Sequence, residues 1–192
     1  MSLRSALELA AQGFRVFPLA EGSNKPPKGF FGFQQQATTE SEKIRAWWKE
    51  NPRYNVGVAT GQGVLVVDVD VKSGKKGAES LEALEAMGLP LDGYRVKTPS
   101  GGVHVFLRTE QPHRQIIDSL EGLPGIDIKC EGNYVVGAGS VRRDFPGVPY
   151  EANGRQMPAS PDWLDQLLIN ARPKHVERTE QPLVELDQPH NV

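Results

Sequence analysis

The run GVLVVDVDV, Gly63 to Val71, places two carboxylates, Asp68 and Asp70, one residue apart at the end of an otherwise apolar segment, and Lys72, Lys75 and Lys76 follow closely. A β-strand sends successive side chains to opposite faces. Leu65, Val67, Val69 and Val71 then share one face, while Val64, Val66, Asp68 and Asp70 share the other. The first face is wholly apolar and is expected to pack on helices. The second ends in two acids roughly 7 Å apart at their α-carbons. At about 4 Å and an effective dielectric near 20, two carboxylates repel by about 4 kcal/mol, and each raises the other's pKa unless a cation sits between them. A divalent ion turns that repulsion into a binding site, and oxygen ligands suit magnesium or manganese. An isolated pair of this kind also suits a solvated strand end or a calcium-type site.

Two further segments repeat the pattern of an apolar back and a chemically capable front. In TPSGGVHVFLR, Val103, Val105 and Leu107 alternate with His104, Phe106 and Arg108. The preceding Ser100, Gly101 and Gly102 form a turn whose backbone N–H groups and hydroxyl can approach phosphate oxygens. In GIDIKCEG, Ile126, Ile128 and Cys130 alternate with Asp127 and Lys129. A third carboxylate is thereby offered on the polar face of a third strand. Each segment alone has a bland explanation, a surface histidine, a turn or an edge strand. Their joint occurrence with matching alternation favours a site.

The elements that must position these residues follow from periodicity. Leu3, Ala6, Leu7, Ala10 and Ala11 have helical spacing, with Gly13 as the stop. Strands are expected at FRVFPL, NVGVATG, GVLVVDVD, YRVKT, VHVFLR, GIDIKC and YVVGAGS, and helices at Thr39 to Glu50 and Ala78 to Met87. A last helix in SPDWLDQLLINA would take Ser160 as its cap and Pro161 as its first residue. Helices and strands are interspersed without the rhythm of a doubly wound fold. The expected class is α+β, with a mixed, largely antiparallel sheet and flanking helices. Residues 1–171 form the domain, and 172–192, polar and proline-containing, read as a tail or linker.

With 192 residues, 38% hydrophobic and 24% charged, the chain has the composition of one ordinary globular domain with a core. No apolar run is long enough for a membrane span and the first residues lack a signal peptide's apolar region, so a cytoplasmic protein without a membrane partner is expected. The single cysteine, Cys130, excludes an internal disulfide, and with four scattered histidines it offers no structural zinc cluster. A formal charge of −2 does not advertise a nucleic-acid binder, yet the basic residues are bunched, as at Lys25 and Lys28 or Arg142 and Arg143, which leaves room for a local basic surface. SGKKG is not a phosphate-binding P-loop, because the terminal Gly-Lys-Ser/Thr is missing.

The series VVDVD, TPSGGVHVFLR and GIDIKCEGNYVVGAGS resembles the three motifs of the bifunctional primase-polymerase domain, within the archaeo-eukaryotic primase superfamily. The flanks VFPLAEGSNKPPKGFFGF, WWKENPRYNVGVATG, VPYEANGR and ASPDWL are similar to the family's segments too, so the likeness runs through the whole domain. The resemblance implies a primase-like catalytic core acting as DNA primase and DNA polymerase on a single-stranded DNA template, with NTPs and dNTPs as substrates, in the replication of a mobile element or phage. It implies that Asp68, Asp70 and Asp127 hold two Mg2+ or Mn2+ ions and that His104, with Ser100, Gly101 and Gly102, contacts the triphosphate. Arg108 would help neutralise that charge. Lys25, Lys72, Lys129 and Arg142 are secondary candidates for phosphate or template contacts. A fused or separate replicative helicase is the partner that the family suggests, and zinc is not expected. Two alternatives share part of the pattern: a DxD-type glycosyltransferase, and a replication module that binds single strands without turnover.

Overall fold

A computed structural model of the chain describes residues 2–116, 120 and 122–171. Helix α1 (Ser2–Ala11) leads into strand β1 (Val16–Leu19), and helices α2 (Phe33–Gln36) and α3 (Ser41–Glu50) precede strands β2 (Asn55–Ala59) and β3 (Val64–Val69). A 3-10 turn, Lys72–Gly74, and helix α4 (Gly77–Ala86) lead on to β4 (Arg95–Lys97), β5 (Val103–Arg108), β6 (Ile126–Lys129), β7 (Tyr134–Val136) and β8 (Glu151–Ala152). Helix α5 (Asp162–Asn170) follows. The strands form a three-stranded sheet in the order β1-β2-β7 and a five-stranded sheet in the order β6-β3-β5-β4-β8. Every ladder between these strands is antiparallel. The class is α+β, as periodicity predicts.

Alternation sorts the larger sheet between two hydrophobic cores. Leu65, Val67, Val69, Val105, Leu107, Ile126 and Ile128 face a cluster that takes in Leu84 of α4 and Leu164 and Leu168 of α5. From the other face, Val66, Phe106 and Val96 join α1, α3 and the smaller sheet. Burying a side chain of this size contributes about 1.5 to 3 kcal/mol, so a one-residue slip of β3, which would exchange its faces, is strongly disfavoured. The front core stops short of the β3 end. There Asp68 replaces valine, and the opening between the sheets begins.

Several local expectations are corrected. The buried stripe of α1 is Ala6, Leu9 and Ala10, with Leu3 and Leu7 only partly covered and Ala11 exposed. Leu9 was the missing member, because the i, i+3, i+4 stripe is rotated toward it. Pro161, in extended conformation, holds the cap position of α5. The Ser160 hydroxyl instead donates to Asp165 Oδ1 at 3.2 Å, an oxygen that also meets His113 Nε2 at 2.6 Å and the Thr109 hydroxyl at 3.1 Å. This partly buried carboxylate ties the start of α5 to the end of β5. Helix α2 and strand β8 are too short to leave a periodic signal. Residues 172–192, expected to be a tail, lie outside the described residues.

Asn55, at the head of β2, fixes one wall of the opening. Its side-chain amide donates to the Ser23 and Val141 carbonyls at 3.0 and 2.8 Å, and its Oδ1 accepts from the Val141 N–H at 3.0 Å. One buried amide thereby holds the two loops that carry Asn24 and Arg142.

Candidate active site

Cross-strand register assembles the site. Asp68 on β3 stands directly opposite His104 on β5 and Asp127 on β6. Residues that pair across a ladder share a face and lie about 4.5 to 5.5 Å apart. Three residues from distant parts of the chain therefore form one row across the sheet. Around them opens a cleft of about 340 Å³, lined also by Asp70, Lys72, Ser100, Lys129 and Arg142.

The acids are compensated by lysines. Lys129 Nζ lies 2.9 Å from Asp127 Oδ2 and 3.9 Å from Asp68 Oδ2. Strand β3 ends at Val69, and Asp70 is the first residue beyond it. Its Oδ1 accepts the Lys72 N–H at 2.9 Å and its Oδ2 lies 3.2 Å from Lys75 Nζ. Burial alone would raise the Asp70 pKa, but the Lys72 N–H and the Lys75 ammonium outweigh it and hold the carboxyl below its usual value. The expectation that Asp68 and Asp70 lie side by side on one strand face is thus corrected. The Asp70 N–H still donates to the Gly125 carbonyl, at 2.8 Å, in register with the last β3–β6 pair of Val69 and Ile126.

His104 is almost wholly buried. Its Nε2 is 3.5 Å from Asp68 Oδ1, while Nδ1 has no partner within the protein. Burial pushes its pKa below the ordinary value, opposed by Asp68 and reinforced by Lys129. The imidazole is therefore neutral at pH 7. As pH falls, the unfolded chain takes up the proton first, so this group's contribution to stability is complete above about pH 6.5 and declines as pH falls toward the folded-state value. His104→Gln should flatten that part of the stability profile. Chemical denaturation of both proteins between about pH 5 and about pH 7.5 checks it, and parallel profiles would contradict a depressed histidine.

Four polar cleft residues escape the alternation argument: Asn24, Thr98, Tyr134 and Tyr150. Thr98 and Ser100 hydroxyls are 3.1 Å apart, and the Tyr134 hydroxyl donates to the Asn24 carbonyl at 3.1 Å. The Tyr150 ring leans over His104, with centroids 5.8 Å apart. Arg142 acts electrostatically on the Tyr150 phenol and grips Asp144 with two bonds, of 2.8 and 2.6 Å. Burial holds the Tyr150 phenol above its usual pKa, although Arg142 pulls the other way. Thr98, Tyr134 and Tyr150 lie in or beside the quoted motifs, which was the available signal.

Other expected residues stand apart from the cleft lining. Arg108 shares the His104 face of β5 but pairs with Val64 at the far end of the strand, roughly 13 Å along it. Lys25 follows Asn24 without lining the cleft, and neither Gly101 nor Gly102 lines it. Cys130 faces the rear core, and burial pushes its thiol up to about 11. Phe31 is exposed, whereas Phe30, Trp47 and Trp48 pack on the front core.

Among the described residues no three of His, Cys, Asp and Glu are gathered closely enough to hold a metal ion. The donor chemistry nevertheless fits a hard divalent cation, since oxygen ligands from Asp68, Asp70 and Asp127 line one cleft. Positive charge already stands at those oxygens, in the ammonium groups of Lys129 and Lys75. The same acids are thus arranged around cations in this structure.

An antiparallel sheet that presents acids, a neutral histidine and flanking basic groups to one cleft is suited to phosphate-ester chemistry. The chain matches the family model of the bifunctional DNA primase/polymerase, N-terminal domain, over residues 6–163, and belongs to that family. A search of curated proteins gives no match. Membership implies nucleotidyl transfer with DNA and nucleotides as substrates, in preference to the glycosyltransferase alternative. Among the described residues no helix is long and apolar enough to cross a membrane.

Proposed function

We propose that the chain is a DNA-dependent primase-polymerase that extends, and also initiates, strands on a single-stranded DNA template in the cleft around Asp68. The observation that carries this reading is the register that sets Asp68 opposite both Asp127 and His104. Asp68, Asp70 and Asp127 would hold two divalent ions, Mg2+ or Mn2+, which when bound neutralise phosphate charge and favour deprotonation of the attacking 3′-hydroxyl.

The chain's own groups divide the remaining work. Lys72 and Arg142 supply positive charge at the cleft wall for the triphosphate. The Thr98 and Ser100 hydroxyls offer donors to its oxygens. His104, neutral and with Nδ1 unpartnered, offers a buried nitrogen that a bound nucleotide can satisfy. Tyr150 packs over that ring and limits its movement. Replication of a mobile element or phage, beside a fused or separate helicase, is the setting the family resemblance suggests.

Incorporation of labelled ribo- and deoxynucleotides on unprimed and primed single-stranded DNA, in Mg2+ and then Mn2+, tests the reading. Products on both templates are expected. Template binding without incorporation under either ion would instead establish a non-catalytic binding module.

A further inference from the structure

Among the basic residues that line the cleft, Lys129 stands against two of its carboxylates. It lies two residues beyond Asp127 on β6, and alternation turns both side chains to the same face. Its ammonium is within 4.0 Å of two different carboxylates, Asp127 at 2.9 Å and Asp68 at 3.9 Å. Lys75, by contrast, bridges to Asp70 from a more exposed position. The Lys129, Asp127 and Asp68 side chains are only 17%, 20% and 25% exposed, so solvent screens their interaction incompletely.

We infer that Lys129 is a built-in counter-ion of the acid site, which neutralises Asp127 and Asp68 when no divalent ion is bound and gives way when one binds. The inference rests on the ion-assisted reading above and assigns Lys129 a different part from the phosphate contact that its sequence position suggests. Two carboxylates facing each other across neighbouring strands repel, and the fold must tolerate them before any ion arrives. An ammonium on the adjacent residue of the same face removes that strain without leaving the sheet. It also competes for the oxygens that a divalent ion needs, so the lysine tunes ion affinity downward while protecting the ion-free protein. Lys129 is on this account a positioning residue.

The test uses the full chain without nucleotide or DNA. Mn2+ binding is measured by the electron paramagnetic resonance signal of the free ion, and thermal unfolding is followed in EDTA and in Mn2+. Lys129→Met, which keeps the length of the stem and removes the charge, is expected to bind Mn2+ about tenfold more tightly, a shift of about 1.4 kcal/mol. It should also melt lower than wild type in EDTA and regain the difference when Mn2+ is added. Should Lys129→Met not fold in EDTA, rescue by Mn2+ supports the inference; a protein unfolded in both conditions is replaced by Lys129→Gln in the same assay. Unchanged or weaker Mn2+ binding overturns the counter-ion role. If wild type and Asp68→Ala alike bind no Mn2+, the ion-assisted reading itself fails and the inference falls with it.

Discussion

Asp68→Ala is expected to lower nucleotide incorporation by at least about a thousandfold, the scale seen when a central member of a catalytic set is removed, while the protein still folds. Asp68 is the one carboxylate in the row that pairs across both neighbouring strands, with His104 on one side and Asp127 on the other. Removing it deletes a proposed ion ligand and the neighbour of the His104 Nε2 together. The fold should persist because Lys129 retains its 2.9 Å contact to Asp127, and because one source of like-charge repulsion disappears. A thermal melt beside the incorporation assay separates the two effects. Activity within about tenfold of wild type, in a protein of normal stability, would remove Asp68 from the chemistry.

The second large effect concerns a residue without a side chain. Gly102→Ala is expected to destabilise the fold by about 3 kcal/mol, because an added methyl group in a packed backbone crossing has nowhere to go. A Cβ there would collide with the Val69 carbonyl oxygen and lie 3.2 Å from Thr98 Oγ1. Gly102 immediately precedes Val103, which pairs with Val69. The collision would therefore lift the start of β5 from the end of β3, next to the Asp68 and His104 pair. Activity should fall along with stability. Gly101→Ala provides a graded comparison: its φ of +92° sits in the left-handed region, but the nearest atom is Val71 Cγ2 at an ordinary 3.5 Å. Only backbone strain of about 1 to 2 kcal/mol is expected there. Urea denaturation of both variants tests the order, and a Gly102→Ala midpoint equal to wild type would show that the two backbones do not approach as described.

These expectations also show what the turn after Thr98 does. Gly102 lets strand β5 start against the carbonyl edge of β3, and the Thr98 and Ser100 hydroxyls of the same turn lie 3.1 Å apart beside the cleft. The same economy recurs at Gly125, whose φ is +78° and where a Cβ would meet the Asp70 carbonyl oxygen at 2.8 Å. Bare backbone on two sides lets other segments crowd the end of β3.

Period-two alternation was enough to assign Leu65, Val67, Val105, Leu107, Ile126 and Ile128 to one core, and to turn Asp68, His104, Asp127 and Lys129 away from it. The α+β class, the strands that carry the motifs and the primase-polymerase resemblance were legible for the same reason: each depends on residues close together in the chain. Tertiary structure decided the rest. It chose the register that sets Asp68 opposite two partners from β5 and β6, ended β3 one residue before Asp70, placed Arg108 at the wrong end of its strand for the cleft, and brought Tyr150 and Asn24 into it. It also gave Lys129 to the carboxylates. Strand periodicity is a property of a single segment, whereas register, charge pairing and close backbone approach arise only between segments, where burial on both faces of the sheet selects one alignment among many.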